Sequence, residues 1–398
     1  RIDSVVVLWP DHKRQILKDL EVNQIVSIRH ADAVDYTPAP KQKGAELFAE
    51  VSGEMGINFK HQENEFNDFD REFLVPHKFS YLGPGLAVGD VNGDGLEDFI
   101  VSGPVRAEAG LFIQQSNGKF SQKTFSKNEE ETECEDLGLL LFDADGDGDN
   151  DLYVCSGGSE HRGDDKEYLQ DRLYTNDGNG NFSLNQGALP EMIESTATVK
   201  ANDFDRDGDM DLFVGSRVVA GKYPAAPRSY LLKNDGGKFT DITADIAPEL
   251  ANVGMVTDAL WTDFDNDNDI DLAVAGEWMA PTFFQNDGGK FSNITPNTTL
   301  KMETGWYTSV AGGDFDNDGD VDYIFGNSGI NRKYQSCRMH EDCHEHPLSV
   351  YHGDFDKSGT YDVLMGYFQN DKLYPVKSRE RVVEQLPGLA ERYPNWDV

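Results

Sequence analysis

DVNGDGLED (90–98), DADGDGDND (143–151), DFDRDGDMD (203–211), DFDNDNDID (263–271), DFDNDGDVD (314–322) and DFDKSGTYD (354–362) are six copies of one acidic nonapeptide, starting 40 to 60 residues apart. Each places oxygen side chains at its first, third, fifth and ninth positions, and five of the six have glycine at the sixth. Alternate residues of a tight loop can converge on one point, and calcium takes six to eight oxygen ligands at about 2.3–2.6 Å. Glycine supplies the positive φ that turns the backbone inward, so that the seventh residue can offer its carbonyl. A solvated charge run would need neither the alternation nor the glycine, so the repeat reads as a series of calcium loops.

Working outward, each loop lies between two short apolar runs. GLAVGD, LGLLLFD, TDALWTD and YTSVAGGD precede loops, and DFIVSG, DLYVCSGG, DLFVGS, DLAVAGEW and DYIFGN follow them. Short runs rich in β-branched and aromatic residues, bounded by Gly and Asp, read as strands of a hairpin. With no flanking amphipathic helices and no Glu at a twelfth position, the loop is not an EF-hand. A second hairpin follows at a steady offset: LFIQQSNGKF ends at Phe120, LYTNDGNGNF at Phe182, LLKNDGGKF at Phe239 and FFQNDGGKF at Phe291. One unit is therefore four short strands in 40 to 60 residues, the size of a propeller blade. LFAEV at 47–51 resembles the continuations KFTDI and KFSNI, which would start the periodic region near residue 45. Residues 1–35 read as a separate small β unit. Ser378–Glu384 reads as a helix, broken at Pro387.

The chain has 398 residues and a formal charge of −37. All ligand positions but Asn92 and Ser358 are Asp, which accounts for 22 of those negative charges. Six divalent ions would still leave a strongly acidic surface, which repels nucleic acid and anionic lipid. No apolar run is long enough for a transmembrane helix. The sequence begins at Arg1 inside a strand-like run, which reads as a piece of something longer. Loops of this kind bind weakly and suit millimolar calcium, which argues for an exported, extracellular or cell-surface protein. In an oxidising setting Cys134–Cys155 and Cys337–Cys343 are the simplest of three possible pairings.

The acidic hairpins with their LF-x-N-D-G-x-G-x-F turns resemble the FG-GAP/VCBS repeats of integrin α-subunit propellers and of many bacterial exported proteins. The opening VVVLWPDHKRQILKDLEVNQIVSI looks like the ASPIC/UnbV module, and the longer passages resemble large bacterial exported or outer-membrane-associated proteins. The resemblance implies an all-β fold, a β-propeller of six or seven four-stranded blades over 36–398, after an ASPIC/UnbV-like segment over 1–35. It also carries over the ligand sets loop by loop. These are Asp90, Asn92, Asp94 and Asp98; Asp143, Asp145, Asp147 and Asp151; Asp203, Asp205, Asp207 and Asp211. The later sets are Asp263, Asp265, Asp267 and Asp271; Asp314, Asp316, Asp318 and Asp322; and Asp354, Asp356, Ser358 and Asp362. Five or six calcium ions are implied. Asn268 replaces the glycine of the fourth loop and Asn tolerates the left-handed region, while Ser358 beside Lys357 makes the sixth loop the weakest.

Other residues admit two readings. Cys337, His340, Cys343, His344, His346 and His352 could ligate zinc or copper, or form a disulfide-pinned loop with incidental histidines. Trp278, Trp306 and Tyr307 could form a platform for a sugar, though packing between blades is the simpler role. No GxSxG, P-loop or HExxH occurs, and Glu63 and Glu65 near His61 are too unspecific to nominate, so no catalytic residue is assigned. The expectation is a non-enzymatic calcium scaffold presenting a surface to a protein or glycan partner. The alternatives are a lyase-like propeller acting on polysaccharide, or an accessory subunit of an outer-membrane nutrient-uptake complex.

Overall fold

The computed structural model describes residues 2–21, 24–37, 48–125, 128, 130–161, 163–328, 348–369 and 372–395. The chain forms two compact units, 1–51 and 52–398. In the first, β1 (Ile2–Leu8), β2 (Lys13–Leu20) and β3 (Val34–Asp35) make an antiparallel sheet in the order β1-β2-β3. Tight reversal at Pro10–His12 is held by the Trp9 N–H on the Lys13 carbonyl, 2.8 Å.

The second unit repeats one antiparallel meander. Its sheets are β4 (Leu86–Gly89) to β7 (Phe120–Thr124), with β5 (Asp98–Val101) and β6 (Gly110–Gln114) between, and β8 (Asp136–Phe142) to β11 (Phe182–Leu184), with β9 (Asp151–Ser156) and β10 (Arg172–Asn176) between. The third runs through β12 (Ser195–Asn202), β13 (Asp211–Val218), β14 (Tyr230–Asp235) and β15 (Lys238–Asp241). In the fourth, β16 (Met255–Thr262), β17 (Asp271–Met279), β18 (Thr282–Asn286) and β19 (Phe291–Asn293) pair in turn. The long β17 also pairs with β20 (Gly305–Gly313), which pairs with β21 (Asp322–Asn327). Last come β22 (Ser349–Gly353), β23 (Asp362–Gln369) and β24 (Lys372–Pro375).

First strands of successive sheets pack on one another, β4 on β8, β8 on β12, β12 on β16 and β16 on β20. That is the arrangement of a β-propeller, whose blades run outward from their first strands. The second strands β9, β13 and β17 are buried on both faces and so read as continuous apolar runs instead of alternating ones. Alternate residues of each serve opposite neighbours. Leu152 and Val154 pack with Ile100 and Leu111 of the first blade, whereas Tyr153 and Cys155 pack with Leu212 and Val214 of the third. Phe213 and Leu231 then meet Leu272, Val274 and Phe284 of the fourth.

A further cluster gathers residues of several blades around the segment before the first one: Leu74, Val75 and Phe79 with Val218, Met255, Trp306, Val363 and Met365. Within it Glu277, wholly buried, accepts Tyr223 Oη at 2.6 Å and Arg217 Nη2 at 2.6 Å. Trp278 packs here, held at φ 61° with its indole N–H on Tyr223 Oη. Trp306 and Tyr307 are buried, and Tyr307 joins Ala275 and Val310. The aromatic trio is therefore core. The C-terminal helix spans Arg379–Gln385 with Ser378 at its N-cap position and ends before Pro387, as its sequence suggests.

Two expectations are corrected. Phe48–Val51 forms no strand; the meanders begin at Leu86, and Phe120 at the head of β7 donates its N–H to the Met55 carbonyl, 2.7 Å. Cys134 and Cys155 are not a disulfide but two buried thiols. β-Pairing sets Asp136 opposite Ser156, so Cys134 lies beyond reach of its supposed partner and turns its Sγ to the Glu130 carbonyl, while Cys155 faces the third blade. Cys337 and Cys343, with His340, His344 and His346, lie outside the described residues. His352 stands in β22 with its ring 5.4 Å from that of Tyr361.

Candidate metal centres

All six acidic nonapeptides are hairpin connections between the first and second strands of a sheet. In each, the ninth residue opens the second strand opposite the residue that precedes the loop: Gly89 with Asp98, Phe142 with Asp151, Asn202 with Asp211, Thr262 with Asp271, Gly313 with Asp322 and Gly353 with Asp362. The first Asp accepts the sixth residue's N–H every time, as in Gly95 to Asp90 (2.7 Å), Gly148 to Asp143 (3.0 Å), Gly208 to Asp203 (3.1 Å), Asn268 to Asp263 (3.0 Å), Gly319 to Asp314 (3.2 Å) and Gly359 to Asp354 (3.1 Å). This bond requires a left-handed sixth residue, Asn268 included at φ 74°.

A second left-handed residue, at the fourth position, escaped the sequence reading. Gly93 and Gly146 occupy it in the first two loops, and Arg206, Asn266, Asn317 and Lys357 in the others, with φ between 60° and 80°. The NGDG and DGDG of the first loops and the asparagines Asn266 and Asn317 carried the signal, but Arg206 and Lys357 are not turn formers.

Carboxylate oxygens of the first, third and ninth residues lie within 4.8 Å of one another in five loops: Asp143, Asp145, Asp151; Asp203, Asp205, Asp211; Asp263, Asp265, Asp271; Asp314, Asp316, Asp322; Asp354, Asp356, Asp362. The first loop has Asn92 at the third position, so there two carboxylates and an amide, from Asp90, Asp98 and Asn92, hold these places. Asp98, Asp151, Asp211, Asp271 and Asp362 are buried. Fifth-position residues stand apart from these clusters. Asp94, Asp147, Asp207, Asp267, Asp318 and Ser358 each accept the N–H two residues on with one oxygen, a local turn that the third-position residues make as well. The sixth loop is thus less exceptional than its sequence suggests, because Ser358 replaces a turn acceptor and Lys357 sits where Arg206 sits.

The ninth Asp also fixes the neighbouring strand. Asp98 accepts Gln114 N–H (2.7 Å), Asp151 Asn176 N–H (2.8 Å), Asp211 Asn234 N–H (2.9 Å) and Asp271 Asn286 N–H (2.8 Å). The asparagines of the N-D-G turns then bridge blades. Asn176 Nδ2 reaches Val91 O of the preceding loop and Asn150 O of its own; Asn234 reaches Ala144 O and Met210 O; Asn286 reaches Phe204 O and Ile270 O. These three asparagines were visible as a repeated letter but not as a contact between units.

Burial pushes the ninth carboxyl up, to about 6 in Asp151 and Asp271 and about 7 in Asp211, with the other loop aspartates adding to the shift. The third loop differs in two ways. Asp211 Oδ2, fully buried, has no protein partner, whereas the corresponding oxygens accept Val91, Ala144, Phe264, Phe315 and Phe355 N–H in the other loops. Above it the Lys233 ammonium bridges Asp205 and Asp207, 2.8 Å from Asp207, and holds Asp207 below the usual range. An orphaned buried carboxylate oxygen facing two more carboxylates fits a hard cation, and this cation would have to displace or share with Lys233.

A family model for the FG-GAP-like repeat matches residues 90–154, 143–214 and 263–325. Each match opens on the first Asp of one acidic loop and runs past the next, so the matched unit is the loop-to-loop period seen here. A second model, ASPIC and UnbV, matches residues 1–35. The chain therefore carries FG-GAP-like repeats behind an ASPIC and UnbV segment. No curated protein matches it in sequence. Among solved structures it is similar to an Agrocybe aegerita lectin specific for non-reducing terminal N-acetylglucosamine, with 12% identity over 75% of this chain and 81% of the other and a TM-score of 0.38. It is also similar to a thermostable family-43 glycoside hydrolase, with 9% identity, 75% and 96% covered and a TM-score of 0.32. A V. cholerae biofilm matrix protein shares 13% identity, with 72% and 37% covered and a TM-score of 0.32.

Lys357 is held left-handed at φ 64° with no side-chain bond to repay it. Lys357→Gly is expected to stabilise the protein by about 1 kcal/mol, read as a higher urea midpoint at unchanged m-value. A loss of stability would show that the lysine makes a contact the backbone strain conceals.

Proposed function

We propose that this protein is an exported, non-enzymatic calcium-binding scaffold whose propeller presents a surface to a protein or glycan partner. The observation that carries the reading is the five-fold recurrence of three converging carboxylates. Such a cluster is costly without a cation, because like charges repel and the ninth carboxyl is buried in four of the five, Asp151, Asp211, Asp271 and Asp362. With one ion per loop, the repulsion becomes coordination and the hairpin closes. Calcium is the fitting ion, since every donor is an oxygen and the weak affinity of such loops suits millimolar external calcium. An exported setting also agrees with the acidic charge, which disfavours nucleic acid and anionic membranes. Among the described residues no helix is long and apolar enough to span a membrane.

The non-enzymatic reading is supported by the fate of the titratable groups. Most clustered carboxylates belong to the loops, and the buried Glu277 is held by internal hydrogen bonds from Arg217 and Tyr223. The lyase-like and nutrient-uptake readings have no comparable observation in their favour. Incubation with a panel of neutral and acidic polysaccharides is expected to give no turnover. Turnover abolished by a single substitution outside the loops would overturn this part of the proposal.

Calcium should raise the melting temperature, by an amount equivalent to about 2.7 kcal/mol per site at a hundredfold excess over the dissociation constant. The sign of the pH effect follows from Asp151, Asp211 and Asp271. Their carboxyls, raised to about 6 or 7, hold protons near pH 6 that the cation must displace. Calorimetric titration at pH 6 should therefore show proton release and weaker binding, with affinity rising to a plateau above pH 7. Lys233→Met, which removes the ammonium from the third loop, should tighten binding there by about tenfold, or roughly 1.4 kcal/mol. A parent protein indifferent to calcium and chelator would reject the calcium reading.

A further inference from the structure

A cavity of about 430 Å³ opens where the sixth acidic loop meets the third blade. Its walls come from the β9–β10, β11–β12 and β13–β14 connections and from Ser358, Gly359 and Thr360 of that loop. The Tyr361 N–H on the Gly221 carbonyl, 2.8 Å, pins the loop to the third blade. Ser195 Oγ on the Gly158 carbonyl, 2.9 Å, joins the second and third blades within the same wall. Lys222 ends a turn that its own N–H closes on the Val219 carbonyl (2.9 Å), with Gly221 left-handed at φ 79°. Bonds between blades therefore fix the walls.

The charges lining this cavity run against the rest of the chain. Acidic residues outnumber basic ones 72 to 35 overall, yet here two lysines, Lys166 and Lys222, stand with one carboxylate, Glu194. Among the described residues neither ammonium is in an ion pair, and Glu194 accepts no hydrogen bond. Burial pushes the Glu194 carboxyl up although Lys166, Arg228 and Lys222 all pull it down, which marks a carboxylate short of hydrogen-bond donors. Arg228 is already engaged by Asp241. His161, also in the wall, gives its Nε2–H to the Glu133 carbonyl (2.7 Å), and burial pushes its pKa down, so it adds no charge. The buried Leu169 and Val218 supply an apolar patch.

A ligand that satisfies this set carries one carboxylate for the two ammonium groups and hydroxyls that donate to Glu194 and exchange bonds with Ser358 and Thr360. It also has a C–H face for Leu169 and Val218. A uronic acid brings all three on one ring, and the volume lies in the range of small-molecule sites. A dense polyanion would meet the field of the whole acidic chain, which favours a uronate standing alone on an otherwise neutral glycan. We propose that this cavity binds an isolated or terminal hexuronate of a glycan, with Lys166 and Lys222 on its carboxylate and Glu194 on its ring hydroxyls. The inference deepens the glycan-partner reading above and rests on it. It also gives the sixth loop a second use, as one wall of the site.

Isothermal titration on the intact protein in millimolar calcium tests the site with three probes: a neutral trisaccharide capped with one glucuronate, the same trisaccharide capped with glucose, and polyglucuronate. The uronate cap should bind about tenfold more tightly than the glucose cap, because the latter gives up the charge-assisted bonds. Lys166→Met and Lys222→Met should each remove most of that preference, and Glu194→Gln should weaken both capped probes. Lys301→Met, at an exposed lysine outside the cavity, should change neither. Polyglucuronate should bind more weakly per uronate than the capped probe, and tighter binding would overturn the restriction to an isolated unit. Equal affinity for the two caps, a comparison on the parent alone that does not depend on how any variant folds, would overturn the site. Lysine variants that keep the parent's preference would overturn it too, while leaving a glycan partner bound elsewhere. No binding of any probe by a parent that calcium still stabilises would sink the site and leave the calcium scaffold standing.

Discussion

A carboxylate at the head of the second strand, buried in each of the four-stranded blades, holds them together. From that one position it accepts a backbone N–H of the third strand and, in all but Asp211, one of the loop as well, as Asp151 does with Asn176 and Ala144. A charge is placed there at considerable desolvation cost, so the surroundings must supply donors or a cation. That demand explains the loop's shape. Two left-handed residues, at positions four and six, turn successive N–H groups toward the first Asp and leave the clustered oxygens pointing at a common centre.

The same aspartate sets the order of the blades. Asn176, Asn234 and Asn286 are aligned by their own ninth Asp and then bond the loop of the preceding blade. Each of the first three loops is therefore gripped from the next repeat. Successive loops also touch directly, through Arg206 and Asp269 at 3.4 Å and through Asn266 and Asp320 at 3.2 Å. Acidic density is thus carried from one loop to the next, where a cation bound in one loop would lower the field felt by its neighbour. Between the blades, alternate residues of a strand buried on both faces feed two separate clusters, so a blade cannot fold its core without both neighbours.

Within this frame Lys233 is a local departure. The lysine supplies a fixed ammonium where other loops offer threonine, glutamine or isoleucine at the corresponding place, Thr175, Gln285 and Ile113. It leaves the repeat intact and adds charge logic specific to one position.

Much of this was legible in the chain itself. The nonapeptide fixed the hairpins, their number and the first and ninth carboxylates, because a period-two oxygen pattern ending at a strand has few other uses. The N-D-G turns marked the second hairpin, and Ser378 and Pro387 bounded the terminal helix. What sequence could not decide was which oxygens meet. Asp147 and its counterparts look equal to the other ligands as letters, yet they stand outside the groups that the first, third and ninth carboxylates form. Cys134 and Cys155 looked paired by proximity along the chain, but strand register sends them to different neighbours. Local periodicity determines elements and turns because it is set by backbone geometry within a few residues. Partnership between distant side chains is set by register and blade packing, and these exist only once the chain has closed on itself.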